Sequence, residues 1–180
     1  MRVLLATSEC EPFAKSGILG DFCADVAIEL TRAGQDVSVI VPAFRQAPLC
    51  GRPIEPLGLD FIVPIGGKTV TGHLLRSSLA DGTVPVYLVQ QDVYYDRDGL
   101  YGVGDDGFVD NCERFVFFCR AIVEAIRLLE LDVDLLHLNN WQTGLAAAYL
   151  KIAYAHAPRY QQIACLMTFH DLADQGLFWR

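Results

Sequence analysis

Five short runs of aliphatic and β-branched residues, at 3–8, 36–41, 85–89, 133–138 and 163–169, alternate with stretches of helical periodicity. Runs this short and this continuously apolar read as strands covered on both faces, and an intervening helix returns the chain to begin the next strand in the same direction. The pattern therefore predicts an α/β domain: a Rossmann-like, mostly parallel sheet with helices on both faces. Helices are expected from about 21 to 32, with Gly34 as the stop, from about 111 to 129, and from about 142 to 155. In the second of these, Phe115, Phe118, Ile122, Ala125, Ile126 and Leu129 recur at helical spacing, which marks a core stripe rather than a cofactor contact. Residues 61–65 and 70–76 flank Gly66-Gly67, and this grouping predicts a β-hairpin inserted into the α/β pattern. A Pro- and Gly-bearing loop is expected over 43–58 and a long polar loop over 92–110; loops of that second length are often functional.

A chain of 180 residues with 52% hydrophobic content is long enough to bury a sizeable core, and one domain over 1–180 is expected. A formal net charge of −8 argues against a nucleic-acid partner, which would call for a basic face. No apolar stretch is long enough to span a bilayer, and acidic Glu9 and Glu11 follow the first apolar run too closely for a signal peptide. The six cysteines form no CxxC pair and sit among apolar neighbours, as buried thiols of a reducing compartment do. A cytoplasmic protein without a metal site or cofactor is the expectation.

Ligands of open α/β sheets bind beyond the carboxyl ends of the strands, and polar residues gather at four such ends here. Lys15-Ser16-Gly17-Ile18-Leu19-Gly20-Asp21 follows the first strand and opens the first helix. That placement turns free backbone N–H groups and the positive end of a helix dipole toward an anion, with Lys15 as a mobile point charge. It is equally the ordinary first turn of such a fold. Tyr94, Tyr95, Asp96 and Arg97 follow the strand at 85–89, Asn139-Asn140-Trp141-Gln142-Thr143-Gly144 the strand at 133–138, and His170-Asp171 the last strand. Singly, Asn140 reads as a helix cap, Trp141 as packing beneath the sheet and His170 as a turn residue. Together they supply the dispersed amide, carboxylate, imidazole and aromatic groups that hydroxyl-rich ligands need.

Several separated motifs, in order, resemble one family. Ser8-Glu9, Pro12-Phe13-Ala14-Lys15-Ser16-Gly17, Leu19-Gly20-Asp21, Asp96-Arg97-Asp98-Gly99-Leu100-Tyr101-Gly102, Asp110-Asn111 with Glu113-Arg114-Phe115, Trp141-Gln142-Thr143-Gly144-Leu145, and His170 with Gln175-Gly176 span nearly the whole chain. The chain resembles the N-terminal half of bacterial glycogen and starch synthases, retaining glycosyltransferases with the two-Rossmann-domain (GT-B) architecture. The resemblance implies transfer of glucose from ADP-glucose or UDP-glucose to the non-reducing end of an α-1,4-glucan, with no obligatory metal or cofactor. It implies that Lys15 contacts the donor phosphates, that Gly17 and Asp21 lie close to the reacting sugar, and that His170 contacts the donor glucose. Tyr95 and Trp141 become substrate-binding candidates, and His170 with Asn140 the catalytic ones.

Four positions depart from the family pattern: Ile18 stands where a second glycine is usual, Asn140 where aspartate precedes the tryptophan, Asp171 where asparagine follows the histidine, and Asp174 where tyrosine is common. If the missing carboxylate assists the chemistry, turnover falls by orders of magnitude. The departures also fit a non-catalytic carbohydrate-binding or regulatory relative. Because the C-terminal nucleotide-binding domain of the family lies outside these 180 residues, the chain alone is expected to lack synthase activity.

Overall fold

The computed structural model describes residues 1–104 and 106–178. Among the described residues the elements run β1 (Arg2–Ala6), α1 (Ile18–Arg32), β2 (Asp36–Pro42), β3 (Glu55–Ile65), β4 (Lys68–Leu79), β5 (Val84–Gln90), α2 (Asp92–Tyr95), β6 (Gly102–Val103), β7 (Asp106–Gly107), α3 (Asn111–Leu128), β8 (Leu135–Asn139), α4 (Trp141–Ala148), α5 (Pro158–Gln161) and β9 (Ala164–Thr168). One seven-stranded sheet has the order β3-β4-β5-β2-β1-β8-β9. The pairs from β5 to β9 are parallel, and the two involving β4 are antiparallel. The expected Rossmann-like α/β class is what forms.

The chain starts in the middle of this sheet. It builds outward from β1 through β2 to β5, then crosses back to set β8 and β9 on the other side of β1. Right-handed crossovers in opposite directions put α1 on one face and α3 with α4, which pack together, on the other. The reversal falls between β1 and β8. At that switch point the loops leaving the two strand ends diverge and open a crevice.

Burial explains why the strands read so clearly. Val3, Leu4, Leu5 and Ala6 of β1 and Val39, Ile40 and Val41 of β2 are all buried. The hairpin β3–β4 alternates instead, turning Phe61, Val63 and Leu74 inward, with the Phe61 ring stacked 5.7 Å from Phe117 of α3. Its strands run longer than the apolar pattern predicts. A bulge between Pro56 and Leu59 breaks the period-two alternation that would have revealed the start of β3. Helix α1 begins three residues earlier than expected and ends in a Schellman turn: Gly34 adopts φ +81° and donates to Thr31 O, while Gln35 donates to Leu30 O. The helix expected over 142–155 is α-helical only to Ala148 and continues as a π-type turn over Tyr149–Ala153.

The 92–110 segment is more ordered than a polar loop. It contains α2 and the small β6–β7 ladder, and Arg114 pins it to α3. This guanidinium is wholly buried, donating to Tyr94 O (2.7 Å), Leu100 O (3.0 Å) and Asn111 Oδ1 (2.6 Å). The faces of Tyr95, Phe108 and Phe115 surround it. Arg97 adds a two-pronged bond to Asp110 at 2.8 and 2.7 Å, which holds the Asp110 carboxyl below its usual range. All six cysteines are free thiols: Cys10, Cys23 and Cys119 are buried as expected, Cys50 and Cys165 are half-buried, and Cys112 is exposed.

Candidate active-site cleft

The crevice at the switch point is a cleft of 290 Å³ lined by residues from four separate segments. Glu9, Gly17, Ile18 and Leu19 come from the β1–α1 turn, and Tyr101 from the 92–110 segment. Asn140 and Gln142 follow β8, and His170, Asp171 and Asp174 follow β9. Gly17, Asn140 and His170 are thus brought together on one rim, as the strand-end argument anticipates.

Glu9 organises the first wall. Its side chain is buried, and its carboxylate accepts from Ser16 N (2.5 Å), Ser16 Oγ (2.7 Å), Gly17 N (3.3 Å) and Tyr101 Oη (2.8 Å). The anion seated on the amides of Ser16 and Gly17 is therefore the protein's own carboxylate. The amides of Ile18 and Leu19, the first of α1, have no partner among the described residues, and both residues line the cleft. The positive end of the α1 dipole thus remains open to a ligand beside Glu9. Ile18 is helical, so no positive φ is demanded where the family pattern carries a glycine. Its side chain is 77% exposed at the cleft wall.

A pair of asparagines organises the second wall. Asn140 holds the N-cap position of α4 at φ 58° and ψ 176°, a region that residues other than glycine seldom enter, and its side chain makes no capping bond. Its Oδ1 accepts from His170 N at 2.7 Å, a contact an aspartate would make equally well. The neutral amide keeps the geometry of the expected carboxylate and drops its charge. Asn139, buried at the end of β8, donates through Nδ2 to Ala6 O (3.2 Å) and meets His170 Nε2 through Oδ1 (2.8 Å). Phe22 packs edge-on against the His170 ring at 4.5 Å. Burial pushes the His170 imidazole below its ordinary value of 6.5, and burial, helped by nearby His170, does the same to His137. Asn139 and Gln142 belong to the polar run expected after the strand at 133–138, but the sequence assigns neither an individual role. Asn139 ends an apolar strand, and its polarity inside a buried run was the available signal.

Four sequence-based candidates lie elsewhere. Tyr95 is fully buried, its ring edge-on to Phe44 and its hydroxyl donating to Arg114 O (3.0 Å), so it presents no surface to the cleft. Its place among the rings of Phe44, Tyr94 and Phe117 explains the aromatic residue, and Tyr101 is the aromatic that reaches the cleft. Trp141 turns away into an apolar groove, edge-on to Phe115 and Phe178. Gly176, at φ +63°, lies against its indole so closely that a Cβ would fall 2.5 Å from the ring. Lys15 and Asp21 sit beside Gly17 but outside the lining, joined by an exposed ion pair of 2.7 Å. The bond to Asp21 raises the Lys15 ammonium further above neutrality, and an exposed pair of this kind exchanges readily with solvent or another anion.

The cleft therefore carries hydroxyl, amide, imidazole and carboxylate groups, and among the described residues its lining contains no lysine or arginine. Such a surface suits a polyol, with an anion tolerated only at the α1 amides. Among the described residues there is no group of His, Cys, Asp and Glu able to hold a metal ion.

The family model described as the starch synthase catalytic domain matches residues 2–180. The chain belongs to that family. It is 43% identical over 178 residues to a glycogen synthase of Syntrophotalea carbinolica, covering 99% of this chain and 36% of that protein. A glycogen synthase of Rhodopirellula baltica is 36% identical over 187 residues, covering 99% of this chain and 37% of its own length. The catalytic domain of starch synthase IV from Arabidopsis thaliana, bound to ADP and acarbose, superposes with a TM-score of 0.81 at 23% identity, over 98% of this chain and 37% of that one. This likeness carries the fold: the α/β architecture is that of a GT-B starch synthase catalytic domain. The chain spans little more than a third of the length of these relatives. Among the described residues no helix is long and apolar enough to cross a membrane.

The depressed imidazoles give the starch-synthase-like domain a testable pH response. A histidine whose folded value lies below its unfolded value favours folding while neutral. Its contribution is complete above the ordinary value of 6.5 and is lost as pH falls through the lower folded values of His137 and His170. Melting temperature is expected to hold from about pH 8 to about pH 7 and to decline toward about pH 5, with carboxylates such as Asp110 adding their loss at lower pH. Thermal denaturation across that range checks it; a melting temperature that rises on acidification contradicts it.

Proposed function

We propose that this chain is the glucosyl-gripping half of a glycogen or starch synthase, acting in the cytoplasm. The reaction is transfer of glucose from ADP-glucose or UDP-glucose to the non-reducing end of an α-1,4-glucan with retention, completed by a C-terminal nucleotide-binding domain beyond these residues. The observation that carries the reading is the cleft at the switch point. There the open amides of α1 face His170, Asn140 and Gln142 in a chain of this family. His170 and Gln142 meet the sugar hydroxyls, Tyr101 walls the cleft, and the α1 amides take the nearer phosphate. Lys15 reaches the diphosphate by leaving Asp21.

A cleft with three carboxylates (Glu9, Asp171 and Asp174) and, among the described residues, no cation in its lining does not hold a diphosphate by itself. The remaining positive charge is assigned to the second domain, which is why the 180-residue chain is expected to bind sugar without turning over. A second reading, a carbohydrate-binding relative without chemistry, draws on Ile18 at the cleft wall and on the uncharged Asn140. Calorimetry of the full-length protein with maltooligosaccharide and with ADP-glucose separates them. The synthase reading expects both to bind and His170→Ala to weaken both by about tenfold, the worth of a hydrogen bond lost in a partly desolvated site. Glucan binding without any donor response favours the second reading. Binding of neither ligand removes both.

A further inference from the structure

Two polar atoms at the cleft have no protein partner among the described residues. Gln142 is 3% exposed and lines the cleft, yet its Oε1 has no such hydrogen-bond partner. A buried acceptor left open in this way is costly unless something fills it. The second atom is His170 Nδ1, which has no protein partner among the described residues, although Nε2 is held at 2.8 Å by Asn139.

The Asn139 amide is oriented by its other contact. Its Nδ2 faces the carbonyl of Ala6 at 3.2 Å; reversing the amide would set two acceptors against each other. Oδ1 must then point at the imidazole, and an oxygen acceptor requires a proton on Nε2. In the neutral ring that leaves Nδ1 as the lone-pair nitrogen. Asn140 fixes the other end of the residue by accepting from His170 N at 2.7 Å, so ring and backbone are anchored separately by adjacent asparagines.

We propose that Asn139 is a positioning residue that locks His170 in the Nε2–H tautomer, so that His170 Nδ1 and Gln142 Oε1 form a pair of acceptors for hydroxyl donors of the sugar. The inference rests on the proposed sugar-transfer function for its choice of ligand, while the tautomer lock stands on geometry alone. Acceptors on both sides select neutral hydroxyls and disfavour a fully ionised phosphate, which offers no proton. The pair therefore assigns this end of the cleft to the glucose ring and the α1 amides to the phosphate.

Imidazole nitrogen resonances of the 15N-labelled protein read the tautomer directly. Wild type is expected to show a protonated Nε2 and a bare Nδ1 at pH values above the His170 titration. Asn139→Leu should convert this into a mixture, whereas Asn140→Gly, which removes only the backbone contact and suits the positive φ, should keep the wild-type pattern. If Asn139→Leu fails to fold, Asn139→Asp retains the acceptor and adds charge; the His170 titration should then move up by about one unit or more. A protonated Nδ1 in wild type, an unchanged pattern in Asn139→Leu, or no upward shift in Asn139→Asp overturns the lock. For the second acceptor, Gln142→Leu should weaken ADP-glucose binding to the full-length protein by about tenfold without lowering the melting temperature, because it removes an unpaired buried oxygen. Unchanged ADP-glucose affinity in that variant overturns the acceptor pair. The expected tautomer with no response to maltotriose or ADP-glucose in wild type would leave the lock standing and remove the sugar-transfer reading instead.

Discussion

Arg114→Met is expected to destabilise the domain by about 3 to 5 kcal/mol, lowering its melting temperature by roughly 10 °C. The arginine is wholly buried, and its three hydrogen bonds go to Tyr94 O, Leu100 O and Asn111 Oδ1. Methionine replaces the stem and its packing but leaves those oxygens facing apolar side chains with no donor. Burial already lowers the pKa of the guanidinium, a measure of how little water reaches it. Carbonyl oxygens, an amide and aromatic faces, with no carboxylate bonded to it among the described residues, keep the charge in place. Arg114→Lys should do little better, because one ammonium cannot span three acceptors that a planar fork reaches. Chemical denaturation of the three proteins decides the matter, and a methionine variant within about 1 kcal/mol of wild type would show that the oxygens find other donors or water. Because these contacts order the 92–110 segment, the variant should also lose the placement of Tyr101 at the cleft.

Glu9→Ala is the second large effect, expected at about 2 to 4 kcal/mol. Glu9 gathers two backbone amides, the Ser16 hydroxyl and the Tyr101 hydroxyl onto one carboxylate. Alanine orphans the amides and disconnects the β1–α1 turn from the 92–110 segment, so sugar binding should fall along with stability. Glu9→Gln should recover most of the loss. Its oxygen can face the amides while its NH2 faces the hydroxyls, which rotate to accept. Denaturant midpoints for the two variants, with maltooligosaccharide affinity beside them, check both halves. Equal damage from alanine and glutamine would mean that negative charge, rather than the count of acceptors, holds the turn.

The two variants also mark how far local pattern could carry the reading. Ser8-Glu9 and Glu113-Arg114-Phe115 were visible as motif residues, yet nothing in their spacing says that Glu9 reaches Tyr101 across 92 positions. Nor does it say that Arg114 is the centre of the loop. Tyr95 shows the opposite error. A tyrosine after a strand end, in a family motif, looks like a ligand contact, whereas the aromatic cluster of Phe44, Tyr94 and Phe117 encloses it. Trp141 follows the same logic: Asn140 precedes α4 at φ 58°, outside helical geometry, and lines the cleft with Gln142, while Trp141, the first residue of the helix, packs against Phe115. Adjacent residues enter different surroundings, and sequence adjacency conceals that.

By itself the sequence determined the α/β class, the parallel sheet, the hairpin and the family, because these depend on periodicity and on motif residues that are local in the chain. It also placed Gly17, Asn140 and His170 at strand ends. Which of those ends share a cleft was decided only by the tertiary structure. The order β5-β2-β1-β8-β9 sets the reversal beside β1, bringing together loops more than 120 residues apart. The roles of Glu9, Asn139 and Gln142 were decided there too. A hydrogen bond is a relation between two groups in space, and a sequence records only one of them at a time.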